Sequence, residues 1–183
     1  MIKDRTDLMD YLESDRLSLG RTIRKPVMSD YIWRFEILLR KYEYYYNKKS
    51  VLRFVYGVLF RRMSLKLGFS IPINVCEKGL AIVHYGTIVI SDGARIGENC
   101  RIHENVCIGA TGGSLEAAKI GKNCFIATGA KIIGNIHIAD NTAIAANAVV
   151  VKDIYEAGTT WGGVPARKIS NNDSSSNMVR MIY

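Results

Sequence analysis

The chain has 183 residues, 48% of them apolar and 9% aromatic, and a formal net charge of +8. That composition excludes an extended disordered chain and leaves room for one sizeable folded domain plus an appendage. The opening MIKDRTDLMDYLESDRL mixes both charge signs and holds no apolar run of signal-peptide length, so the expected location is cytoplasmic.

The charge is uneven along the chain. Residues 1–20 carry three basic and five acidic groups, residues 21–66 twelve and three, and residues 67–170 nine and eight. The basic excess therefore belongs to the second segment, within a helical N-terminal region expected over 1–67. Inside it, SDYIWRFEILLRKYEYYYN and VLRFVYGVLFRRMSLKLG read as two helices separated by KKS. The second is too short to span a bilayer and carries Arg53 inside its apolar run. Two readings of residues 29–66 stay open: apolar faces packed on the following domain and on neighbouring subunits, or a basic, aromatic surface docked peripherally on anionic lipid at the inner membrane face. No motif supports nucleic acid as a partner.

Beyond this segment a different period takes over. Counting in sixes from Ile90 gives Ile96, Ile102, Ile108, Ser114, Ile120, Ile126, Ile132, Ile138, Ile144 and Val150, with Ser114 as the single lapse. Four residues after each aliphatic comes a small or modest apolar side chain, among them Ala94, Cys100, Val106, Cys124, Ala130 and Ala148. A six-residue period fits neither an ordinary sheet nor an amphipathic helix; it predicts a mainly β chain built as a parallel β-helix over 68–170. Three sides of six residues make a coil of eighteen. The lapse at Gly109–Lys119 reads as one side left unformed and replaced by a loop, so residues eighteen apart are expected to stack. On that count Cys100 and Cys124 face inward from different sides, and with no CxxC pair the four cysteines read as reduced, small apolar residues. NNDSSSN and the rest of 171–183 read as a flexible tail.

The histidine of IVHYGTIVI, His84, takes the third, outward-facing place of its side once Ile88 and Val89 are counted as an insertion. His103 falls second and His137 sixth in their hexapeptides. A histidine metal site needs converging rings, so no metal is expected.

The hexapeptides, the lead-in CEKGLAIVHYGTIVI, the loop ATGGSLEAAKIGKN and the closing TTWGGVPARKI resemble the left-handed β-helix acyltransferases, in the branch of bacterial serine acetyltransferases and polysaccharide O-acetyltransferases. The resemblance covers roughly residues 68–169. It implies a left-handed coil, acetyl-CoA as cosubstrate, and a homotrimer with active sites between subunits. It also implies that His84 is the general base that takes the acceptor hydroxyl's proton, a task suited to an imidazole.

Glu104, one coil beyond His84, is expected to orient the imidazole and favour its charged form, with Lys122 and Asp140 continuing that column. The open alternative is a solvated glutamate, with the true partner coming from another chain. A second column, Asp92, Ala110, Thr128 and Ala146, is expected to form a shallow groove for the pantetheine arm, Asp92 lying at its acceptor end. Thr128 and Ala146 match positions that the resemblance places against the cofactor, and Arg167 and Lys168 would meet its phosphates. The chain departs from the family near Ser70, where no acid stands, and at Glu116 and Ala117, in place of a basic pair. From those departures the expected acceptor is a hydroxyl of a capsule or exopolysaccharide glycan. Serine O-acetylation is the alternative, and a non-catalytic scaffold or membrane-docking module is the rival from another class.

Overall fold

The structure, a computed structural model, describes residues 1–179. Three helices come first: α1 (Arg5–Ser18), α2 (Tyr31–Asn47) and α3 (Leu52–Leu67). The helical region expected over 1–67 thus holds, besides the two helices placed individually, α1, a largely polar helix whose start is fixed by the Asp4 carboxylate accepting from the Asp7 N–H at 2.9 Å. Asp30 caps α2 in the same way through the Trp33 N–H. Gly68, at φ 77°, ends α3 and turns the chain into the first strand, a backbone conformation that a Cβ disfavours.

From Phe69 onward the chain winds into three parallel sheets. One stacks Phe69–Ser70, Ile88–Ile90, Cys107–Gly109, Lys131–Ile133 and Val149–Val150. The second stacks Arg95–Ile96, Lys119–Ile120 and His137–Ile138. The third stacks Ala81–Ile82, Arg101–Ile102, Phe125–Ile126, Ala143–Ile144 and Thr160–Gly162, and Arg167–Ser170 closes it antiparallel. Each side sends its aliphatic residue inward, so Ile82, Ile102, Ile126 and Ile144 form one buried column and Ile96, Ile120 and Ile138 another. The small residues Ala94, Cys100, Val106, Cys124, Ala130 and Ala148 fill the space beside them. Corners turn on residues with positive φ, such as Asn99, Asn123 and Asn141, whose amides also hydrogen-bond from coil to coil.

The stacking corrects the eighteen-residue count at one place. Ile96 pairs with Ile120, Ile102 with Ile126 and Ile108 with Ile132, each twenty-four apart. No side is missing. Between Gly109 and Lys119 the chain makes an excursion of six extra residues at one corner, and an insertion equal to the period leaves the phase intact while shifting every later side by one. Cys100 and Cys124 therefore stack on the same side, where the Arg101 N–H donates to the Cys124 carbonyl, and all four cysteines are free thiols.

The helical region covers the open end of the first coil. A terminal strand exposes N–H and C=O groups that have no next strand. Here helix side chains replace that strand: Glu36 Oε1 accepts from Ile82 N–H at 2.9 Å, and Asp15 Oδ1 accepts from Gly79 and Leu80 N–H at 2.8 and 2.9 Å. Glu43 Oε1 accepts from Asn74 N–H, and Arg40 donates to the Cys76 and Glu77 carbonyls. Arg40 also pairs with Asp15 and Glu43 at 2.7 and 3.0 Å, all three buried. Phe35 and Leu39 of α2 seal the same end with apolar surface.

The outer face of α3 leaves Phe54, Val55 and Val58 exposed in the single chain, as is Val51 just before the helix. Among the described residues no helix is long and apolar enough to cross a membrane. Residues 171–179 do not hang free as the flexible-tail reading expected. Ser174 donates its hydroxyl to Asn123 O at 2.5 Å and its N–H to Asn141 O, fastening this segment along the corner asparagines. Residues 180–183 lie outside the described part.

Candidate functional site

His84 sits just past Ala81–Ile82, exposed on the outer face of the third sheet's first strand. The pairing of Ala81 with Arg101 and Ile82 with Ile102 sets Glu104 one coil from His84, as the sequence register predicts. Gly86, at φ 134°, brings the backbone so close to Glu104 that an added Cβ would meet the Glu104 Cβ at 3.0 Å. The turn after His84 thus folds directly onto the glutamate.

His103 also belongs to this cluster, against the expectation that the histidines stay apart. Its ring stands edge-on to His84 with centroids 5.3 Å apart, and edge-on to Phe125 at 5.0 Å on its other side. The register puts Glu104, not His103, opposite His84, and His103 joins the pair because its outward ring reaches back across one strand position to the His84 ring. His137 is elsewhere, stacked on Tyr155. One potential ligand atom each from His84, His103 and Glu104 lies within 4.8 Å of the others. His103 Nε2 and Glu104 Oε2 are buried and have no hydrogen-bond partner among the described residues.

The electrostatics of the cluster follow from its surroundings. Burial, with the Arg101 guanidinium and His84 adding to it, lowers the His103 imidazole below its ordinary value. The Thr128 hydroxyl is the main group holding the Glu104 carboxyl below the usual carboxylate range, with both histidines contributing. The site therefore presents a neutral imidazole beside an ionised carboxylate.

Thr128 and Ala146 stand on this same side, not above Ala110. The pairings Ile102↔Ile126 and Ile144↔Ile126 carry the column from His84 through Glu104 to Thr128 and Ala146. Ala110 follows Gly109, which pairs with Ile133, so its neighbour across the next coil is Gly134, and Asp92 is exposed on that other side. Lys122 and Asp140 form a column with Glu98, since Asn123 N–H meets Glu98 O and Asn141 N–H meets Lys122 O. The single groove expected from Asp92 to Ala146 is therefore two separate columns, split by the six-residue excursion.

At the closing hairpin, Arg167 is exposed and Lys168 pairs with Glu156 at 2.5 Å. In the excursion, Ala117 is fully buried and Glu116 is held by Asn135 and by Ser114. Ser70 lies in the strand paired with Ile88–Ile90 and is exposed.

Residues 117–152 match the family model described as Bacterial transferase hexapeptide (six repeats). The chain is 36% identical over 126 residues to a serine acetyltransferase of Staphylococcus xylosus, covering 66% of this chain and 56% of that one. It superposes on the serine acetyltransferase of Neisseria gonorrhoeae in complex with serine at a TM-score of 0.72 with 26% identity, covering 91% of this chain and 70% of that one. On the Brucella abortus enzyme in complex with coenzyme A the TM-score is 0.71 with 25% identity, covering 92% and 70%. These likenesses establish the left-handed hexapeptide β-helix. The chain spans about half the length of the curated relatives it matches.

The glycan acceptor is corrected by the same findings, since these relatives and neighbours are serine acetyltransferases and none of them points to a polysaccharide. The inference had rested on one loop having lost its cations. Arg101, two residues from His103 on the same outward strand face, sets a guanidinium near the cluster from outside that loop.

Proposed function

We propose that this chain, a hexapeptide-repeat β-helix of the serine acetyltransferase-like kind, transfers the acetyl group of acetyl-CoA to the hydroxyl of L-serine. The observation that carries the reading is the convergence of His84, His103 and Glu104 at the end of a chain-long match to serine acetyltransferase structures. His84 takes the proton of the serine hydroxyl as its oxygen attacks the thioester carbonyl. Collapse of the tetrahedral intermediate expels the CoA thiolate, which recovers the proton from the imidazolium, giving O-acetylserine and CoA. Glu104 stabilises the imidazolium formed on the way. Arg101 holds the substrate carboxylate, the role that Glu116 and buried Ala117 cannot fill.

Acetyl-CoA approaches along the column beside Thr128 and Ala146, and Arg167, exposed and in no ion pair among the described residues, is the cation for its phosphates. Ala110 and Lys168 are weaker cofactor candidates, one on another side and the other already paired. A homotrimer fits the exposure of Tyr85, next to His84, which a neighbouring subunit would cover. The test is CoA release with L-serine as acceptor. His84→Ala should lower turnover by about two to four orders of magnitude while acetyl-CoA affinity is kept. Turnover at the original rate in that variant removes the base, and no serine-dependent release from the intact chain removes the reading.

A further inference from the structure

We infer that His84, His103 and Glu104 together bind one divalent transition-metal ion of the zinc class. Three donors of the right chemistry already lie within 4.8 Å of one another. Four-coordinate zinc holds nitrogen and oxygen ligands at about 2.0–2.2 Å, which sets ligand atoms roughly 3.4 Å apart. The remaining closure falls to His84, exposed and free to rotate about its side-chain bonds.

Two features favour an ion over a bare surface cluster. His103 Nε2 and Glu104 Oε2 are shielded from water and unpartnered, so a ring nitrogen and a carboxylate oxygen have lost solvation without replacement. Phe125 packs against the His103 ring and Gly86 against Glu104, which restricts both side chains to orientations beside His84. Two imidazoles and one carboxylate select zinc or cobalt over magnesium or calcium, and three protein donors leave a fourth position open to solvent.

An ion there occupies the His84 lone pair, so it competes with proton abstraction. The competition rests on the acetyl-transfer reading, whereas the binding does not.

The test starts from full-length protein stripped of metal by a chelator and titrated with Co²⁺. One equivalent per chain should give the visible absorption of four-coordinate cobalt, displaced by Zn²⁺. His103→Ala and Glu104→Gln should each weaken cobalt binding at least about tenfold, and His137→Ala should leave it unchanged. Absence of the band, or its persistence in both variants, overturns the site. With the band present, saturating Zn²⁺ should cut serine-dependent CoA release at least tenfold, reversibly with chelator; unaffected release overturns the competition. Cobalt binding by a chain whose metal-free form releases no CoA supports the ion site and defeats the acetyl-transfer reading alone.

Discussion

Glu36 shows how one side chain links the helices to the turn that carries His84. It is fully buried, and its Oε1 accepts from Ile82 N–H, two residues before His84. Burial first, and the neighbouring Asp15 charge second, push its carboxyl well above the ordinary range. In the unfolded chain it titrates at about 4.3. Between that value and the raised folded one, the folded form binds the extra proton, so its contribution is full at acid pH and declines as pH rises. Glu36→Gln keeps an oxygen for Ile82 N–H and cannot ionise. The melting temperature of that variant should therefore fall less than that of the parent between about pH 5 and pH 8. Parallel melting curves across that range would mean that Glu36 does not titrate there. His103 carries the contrasting lesson at this scale. It stands next to Glu104, which the register already sets opposite His84, yet the register does not say which way its ring leans, and it is the ring orientation that makes the two histidines meet.

At the scale of the element, the hexapeptide period made the inward columns legible because burial repeats every six residues whatever else the chain does. It could not assign sides after the excursion, because six extra residues return the same phase. Thr128 and Ala146 were consequently read beside Ala110, and Cys124 away from Cys100, although the spacing of twenty-four puts Thr128 in line with Glu104 and Cys124 in line with Cys100. A deletion tests the excursion directly. Removing residues 111–116 joins Ala110 to Ala117 and leaves Ile108, Gly109, Ala110, Ala117, Ala118 and Lys119 as one ordinary hexapeptide. Buried Ala118 then holds the small inward place. The equivalent corner at Asp92 and Gly93 turns without a left-handed residue, so the join carries no such strain. The shortened protein should fold with an unchanged circular-dichroism spectrum and a melting temperature within a few degrees of the parent, roughly a 1 kcal/mol effect or less. Loss of cooperative folding would show that the excursion replaces a side.

For the whole molecule, the helices and the β-helix meet through charge as much as through apolar contact. Asp15, Glu36, Arg40 and Glu43 satisfy the N–H and C=O groups that the first coil presents at its open end. Glu36, Arg40 and Glu43 share one face of α2 at helical spacing, with Asp15 added from α1, but a charged face at that spacing does not announce that it meets backbone groups of a distant coil. A buried pair of this kind adds little net stability over an apolar substitute, but removing one partner from it costs about 3–5 kcal/mol. Removing the whole cap is more severe. A chain starting at residue 68 exposes the N–H groups of Asn74, Gly79, Leu80 and Ile82 along an unpaired edge, together with Phe69 and Ile71, now buried. Such an edge is a template for pairing with another chain. The truncated protein should scatter light at concentrations where the parent is clear, and Arg40→Ala in the full chain should lower the urea midpoint without aggregation. A truncated chain that stays dispersed, with the melting temperature of the parent, would make residues 1–67 an independent appendage and the buried ionic cap irrelevant to the coil it covers.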